Sequence, residues 1–161
     1  MIKIFTPQVN NIHEIQTLAQ ETWLHTYINI ISREQIEYML NAFYNTELIE
    51  EQMSNSHHHF IALQENKQLL AYAHAIEQEN SMKLSKLYVH PTQHNKGFGK
   101  ILLQAIEKKC LLLQKNILEL CVNKFNPAKH FYESQGFFVV REEDFPIGEY
   151  WMNDYVMEKI I

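Results

Sequence analysis

Apolar and polar positions along the chain switch between two periods, and the switches predict the elements. After a short apolar start at Ile2, Ile4 and Phe5, residues Ile12, Ile15, Leu18, Ala19 and Trp23 recur at helical spacing, with Asn10 or Asn11 placed as the cap. This first helix is expected to end in the aromatic segment 22–27. Ser32-Arg33-Glu34-Gln35 has the form of a capping box and predicts a second helix through Phe43. A third is expected over 46–53, with Thr46 as its weaker cap. His57-His58-His59 leads into a strand at 60–63. Polar turns at 64–67 and 77–81 then separate strands at 69–76 and 84–89, which predicts an antiparallel meander.

Beyond residue 97 the period returns to helical. Phe98, Ile101, Leu102, Ala105 and Ile106 share one face of a helix reaching about residue 113. Residues 116–122 read as a strand. A strand, helix and strand of this length imply a right-handed crossover and one parallel pair. A helix over 127–135 is framed by Asn126 as cap, Pro127 at its first position and Gly136 as its stop. Strands at 137–141 and 150–157 complete the chain as a hairpin across 142–149. The expected fold is α/β in one domain over 1–161: a mixed, mostly antiparallel central sheet of about seven strands with helices on both faces.

Composition narrows the function. The chain has 161 residues and a net charge of -5, which argues against general nucleic-acid affinity and is compatible with a cationic small molecule. The two cysteines, Cys110 and Cys121, lack metal-ligand spacing and read as reduced thiols of a cytoplasmic protein. Adjacent histidines on a strand point to opposite faces, so the run at 57–59 predicts no metal site. No secretory segment is expected at the start, and no apolar run approaches the roughly 18 residues of a membrane span.

The chemistry concentrates at His94-Asn95-Lys96-Gly97-Phe98-Gly99-Lys100, between a strand and a helix. Glycine admits positive φ and close approach of a ligand, and the free N–H groups of a helix N-terminus attract an anion. A Walker A loop would need glycine at 94 and Ser or Thr at 101, where His94 and Ile101 stand. A dinucleotide fingerprint would need glycine at 102, where Leu102 stands. The stretch instead resembles motif A of the GNAT superfamily of acyl-CoA-dependent N-acetyltransferases, Gln/Arg-x-x-Gly-x-Gly/Ala after a strand. His94 departs from its first position. Asn126-Pro127-Ala128-Lys129-His130-Phe131-Tyr132-Glu133, ending at Gly136-Phe137, is similar to motif B of the same family. Both chain ends, at 21–27 and 152–159, resemble the bacterial polyamine acetyltransferase-like branch.

The resemblance implies acetyl-CoA as co-substrate, with no metal. Leu87, Tyr88 and Val89 would bond the pantetheine arm as a neighbouring strand does. His94, Asn95, Lys96, Gly97, Phe98, Gly99 and Lys100 would hold the pyrophosphate. Asn126 would contact the arm, Asn123 being the second candidate for that place, and Tyr132 would be the general acid at the thioester sulfur. A primary amine with a pKa of about 10 must lose a proton before it attacks. Glu21, His74, Glu77 and Glu79 are candidate bases, and the sequence does not choose among them. Trp23, Tyr27, Tyr150 and Trp151 are candidates for the acceptor pocket. Other readings are acetylation of a protein or peptide amine, and a non-catalytic acyl-CoA-binding module. A homodimer is compatible with the resemblance.

Overall fold

The chain starts with a three-residue strand, β1 (Lys3–Phe5), and passes through a 3-10 turn into α1 (Ile12–Tyr27). Next come α2 (Arg33–Phe43) and α3 (Thr46–Ser54), then β2 (His58–Glu65), β3 (Gln68–Glu77) and β4 (Met82–Val89). From β4, α4 (Phe98–Leu112) carries the chain to β5 (Ile117–Asn123), and α5 (Ala128–Ser134) leads to the hairpin of β6 (Phe138–Ile147) and β7 (Tyr150–Ile160). The strands form one sheet in the order β1-β2-β3-β4-β5-β7-β6, and only β4 and β5 run parallel. The computed structural model describes residues 1–161.

Local chemistry fixes the element ends. Ser32 Oγ accepts from the Gln35 N–H at 3.1 Å, but the Gln35 side chain donates to the Trp151 carbonyl rather than closing a capping box. Asn45, not Thr46, caps α3 through the Leu48 N–H at 2.9 Å. The β2–β3 hairpin turns at Asn66 and Lys67, both at positive φ, as a tight two-residue loop requires. The last hairpin differs most from expectation: its strands reach Ile147 and Tyr150, leaving only Gly148 and Glu149 as the turn. The charged run Glu142-Glu143-Asp144 belongs to β6 because β6 is an edge strand, exposed along most of its length. Pro146 is tolerated there for the same reason.

Two cores flank the sheet. Under α4 and α5 lie Leu102, Leu103, Ile106, Cys110, Leu118, Leu120, Tyr132 and Phe137; under α1–α3 lie Ile15, Trp23, Tyr27, Ile36, Met39, Tyr72 and Met152. Each fully buried Leu or Ile contributes about 1.5–3 kcal/mol, so α4 is held by its apolar stripe rather than by its ends.

The sheet has one weak seam. β4 and β5 pair over three positions only, Met82–Leu118, Lys83–Glu119 and Leu84–Leu120. On the other side of β4, Leu84 pairs with Ala75 and Lys86 with His74, so Ser85 is an extra residue, a bulge. A bulge bends its strand. From Ser85 onward β4 leaves β5, and a gap opens between residues 86–89 and 121–123.

Candidate active site

The gap is lined by strand edges. His90 N–H donates to the Leu70 carbonyl at 2.8 Å. The alternation of an antiparallel ladder then turns the peptide groups of Leu87 and Val89 away from β3, into the gap, and those of Tyr88 toward β3. The loop after β4 ends at Gly97, at φ +82, and α4 begins there with no side chain capping it. Its first N–H groups therefore remain free for an anion. The two motif glycines do different work. Gly97 supplies the left-handed conformation, whereas a Cβ on Gly99 would meet the Phe131 ring at 3.3 Å, so Gly99 lets α4 and α5 approach. Lys96 reaches back to Gln93 Oε1 at 3.0 Å, and His94 Nε2 bonds the Val89 carbonyl at 3.0 Å. A strand edge ending at an uncapped helix N-terminus fits a pantetheine arm and its pyrophosphate.

At the far wall, α5 presents Tyr132, buried against Phe131 and Phe137, with no hydrogen-bond partner for its hydroxyl. Burial, and then the neighbouring Tyr27, push its pKa well above that of a free phenol. Asn126 is committed at both ends of its side chain: Oδ1 accepts from the Ala128 N–H at 2.9 Å, and Nδ2 donates to the Tyr27 hydroxyl at 3.1 Å. Asn123 Oδ1 accepts from the Phe125 N–H at 2.9 Å. The Asn126–Tyr27 bond ties α1 to α5 across the gap. Burial pushes Tyr27 up to about 12.

The four candidate bases do not meet at the gap. His74 is fully buried, its ring stacked 4.2 Å from Phe60 and bonded to His58 at 2.8 Å; burial and then Lys86 push its pKa down to about 2. Such an imidazole is a core group and a very weak base. Glu77 is bonded to His59 at 2.7 Å at the end of β3, and the Glu79 carbonyl accepts from Lys115 in the turn beyond. Glu21 bonds His90 Nε2 at 2.5 Å. His90 lies five residues past the bulge, about 16 Å along an extended strand, at the loop end of the gap.

The four acceptor-pocket aromatics separate as well. Trp23 is buried, donating to the Tyr88 hydroxyl at 3.1 Å, and packs on Tyr27 at 4.6 Å between ring centres. Tyr150 packs on Tyr38 of α2 at 5.4 Å. Trp151 is 60% exposed, because strand alternation turns it to the face opposite Tyr150 and Met152. It lines no wall with the other three. Two surface cavities, of about 400 Å³ beside β1 and β2 and about 500 Å³ between α1 and α2, lie away from the gap.

Two ionisable residues that the sequence reading passed over lie on the sheet face under α1–α3. Lys86 donates to the Phe43 carbonyl at 3.0 Å and sits 4.1 Å over the Tyr44 ring; burial lowers its pKa to about 8. Asp154 is only 5% exposed, and no group donates a hydrogen bond to its carboxyl. The available signal was phase: Lys86 alternates with Leu84 and Tyr88, and Asp154 stands between Met152 and Val156, at positions whose neighbours in phase are apolar or aromatic.

The family follows from comparison. Residues 27–158 match the acetyltransferase (GNAT) domain, and the chain belongs to the GNAT acetyltransferases. A spermidine N(1)-acetyltransferase of Thermoplasma acidophilum is 28% identical over 156 residues, covering 92% of each chain. The crystal structure of the PaiA N-acetyltransferase of Thermoplasma acidophilum, in complex with coenzyme A, superposes with a TM-score of 0.88 at 27% identity, over 100% of this chain and 99% of that one. The ribosomal-protein-S18-alanine N-acetyltransferase of Escherichia coli shares the fold at a TM-score of 0.76 and 16% identity, over 100% of this chain and 94% of that one. The mixed seven-stranded sheet with its five helices is the GNAT fold. No three or more His, Cys, Asp or Glu side chains are grouped to hold a metal, and no helix is long and apolar enough to cross a membrane.

Proposed function

We propose that this enzyme transfers the acetyl group of acetyl-CoA directly to a primary amine of a small, polyamine-like acceptor, with Tyr132 as the acid. The observation that carries the reading is the free hydroxyl of the largely buried Tyr132 side chain, beside a gap that ends at an uncapped helix N-terminus. A phenol whose pKa is raised stays protonated and offers its O–H to the developing thiolate. Leu87 and Val89 would pair with the pantetheine amides, and residues 94–100 would hold the pyrophosphate.

Direct transfer is supported by the thiols. Burial pushes Cys110 up to about 11 and raises Cys121, so neither is a ready thiolate for an acyl-enzyme. A small acceptor is supported by α2, which lies over the β6–β7 turn through Tyr38–Tyr150 and the Gln35–Trp151 bond and so narrows that side of the sheet. The polyamine class rests on the spermidine-acetylating relative.

The test is acetyl-CoA consumption, followed as thiol release, against polyamines, amino acids, aminoglycosides and a peptide N-terminus. Polyamines are expected to be used, and Tyr132→Phe to lower kcat about a hundredfold or more while acetyl-CoA affinity is kept. Acetyl-CoA binding with no turnover on any amine would sink the reading.

A further inference from the structure

Asp154 stands where an acidic side chain needs explaining. It lies between Met152 and Val156 on the buried phase of β7, and its Oδ1 is sealed without a partner. Asn123, its cross-strand neighbour on β5, points its amide toward Met152 Sδ at 4.0 Å instead of toward the carboxyl. That register places Asp154 one strand behind the gap, on the face under α1, opposite the face covered by α4 and α5. Its charge raises the Tyr27 hydroxyl, and Tyr27 in turn raises Tyr132. Asp154 thus sits across β5 from the gap, beside Asn123, and Tyr27, bonded to Asn126, lies between it and the proposed acid.

The groups facing Asp154 cannot neutralise it. From β6 comes Glu143, directly across from Asp154, while Asp144 is turned to the other phase and bonded by Asn153; from β4 comes Lys83, from α1 Tyr27, and from β5 Cys121 and Asn123. Arg141 is already bonded to Glu143 at 3.2 Å. Burial, and then Glu143 outweighing Lys83, raise the Asp154 carboxyl to about 6. A buried carboxylate without donors is costly unless a cation completes it. A primary ammonium brings a positive charge and three N–H donors.

We infer that Asp154 is the carboxylate that receives the acceptor's reacting ammonium group and takes its proton, an inference that rests on the amine-acetylating function proposed above. The N–H bond breaks as the Asp154 O–H bond forms, leaving a neutral amine. Its lone pair attacks the thioester carbonyl. As the C–S bond breaks, the thiolate takes the Tyr132 proton, and the nitrogen's remaining extra proton passes to the Tyr132 phenolate. Asp154 releases its own proton to water, so amide, thiol and one free proton are the products.

The experiment is calorimetric titration of spermidine into the enzyme–CoA complex near pH 6, in two buffers of different ionisation enthalpy, for the parent, Asp154→Asn and Asp154→Glu, beside kcat/KM for spermidine. Parent binding is expected to release a fraction of a proton, because a half-protonated carboxyl gives it up to a docking cation. Asp154→Asn should lose that release and bind spermidine about tenfold or more weakly, with kcat/KM down about a hundredfold and CoA affinity unchanged. Asp154→Glu should recover part of the affinity, which a purely structural role would not predict. If Asp154→Asn keeps both affinity and proton release, the inference is overturned, while spermidine turnover by the parent upholds the function. Proton-linked binding by the parent without acetylation would keep the cation site and remove the polyamine reaction. Neither binding nor turnover by the parent would overturn both.

Discussion

Under α4 and α5 the sheet is packed with Leu102, Leu103, Ile106, Leu118 and Leu120, and Tyr132 brings the one hydroxyl among its buried residues. Under α1–α3 the same sheet carries Tyr72, His74, Lys86, Tyr88, Asn123 and Asp154, with Trp23, Tyr27 and Gln35 laid over them. All six buried polar side-chain atoms that lack a partner belong to this second face or its helices: Thr22, Tyr44, Gln52, Tyr72, His74 and Asp154. Under the proposed function, the difference follows from what each face would recognise. A pantetheine arm and pyrophosphate would be met by peptide groups and a helix end, which need only glycine, tight packing and a missing cap. An amine must be met by individual side chains, and those must be held in the core before the amine arrives.

The comparison breaks most visibly at Gly99. Gly99→Val would push atoms into Phe131 and drive α4 from α5, with an expected cost of about 2–3 kcal/mol and a large loss of CoA affinity. Denaturant unfolding and CoA titration check this; unchanged CoA affinity would mean that α4–α5 spacing does not set the cofactor side.

On the other face, Asp154→Asn is expected to stabilise the free enzyme. The carboxyl rises from 3.8 to about 6 on folding, so the folded state holds the proton more tightly, and stability is lost as pH climbs from about 4 to about 6. The variant should match the parent near pH 4 and exceed it by up to about 2–3 kcal/mol above pH 6. His74 works in the opposite sense: its depressed pKa costs stability as pH falls below 6.5. Only the parent–variant difference, measured by unfolding at each pH, isolates Asp154. A flat difference would mean that some group already satisfies the carboxylate.

Gly148→Ala probes the closure by α2. Gly148 sits at φ +58, and a Cβ would lie 2.2 Å from the Tyr38 hydroxyl. An expected loss of about 1–2 kcal/mol should come with a raised KM for the amine and unchanged CoA affinity, and Tyr38→Ala in the same chain should return part of both. The smallest effect is expected from His94→Gln, within about threefold in CoA affinity, because the His94 bond goes to the Val89 carbonyl and peptide groups remain the main anion donors. A larger change in CoA titration would give that histidine a direct part in phosphate binding.

Legibility in the sequence divides along the same line. The meander, the crossover and the turn into α4 were readable because they leave short local patterns: Gly97 and Gly99, the apolar stripe of α4, and Asn126-Pro127 before α5. The β6 strand was underestimated because an edge strand need not hide its charges. Asp154 carried no motif. Its meaning depends on Asn123, Tyr27 and Lys83, which lie on other elements and give no spacing to read. His74 showed the converse: histidine is a plausible base by type, and only its stacking on Phe60 makes it a core residue.

The Ser85 bulge leaves the sheet as two cooperative blocks, β1 to β4 and β5-β7-β6, spliced by three residue pairs. Such blocks can open separately, each with its own free energy. A cofactor arm lying in the gap adds a strand's worth of bonding across the splice, so its binding should act on the whole of the second block at once. Amides of β5, β6 and β7, far from any ligand atom, are expected to slow their hydrogen exchange together when CoA binds, by the mass-action stabilisation its concentration sets. In that sense the co-substrate would also be a structural member of the sheet, present only while the enzyme is ready to react.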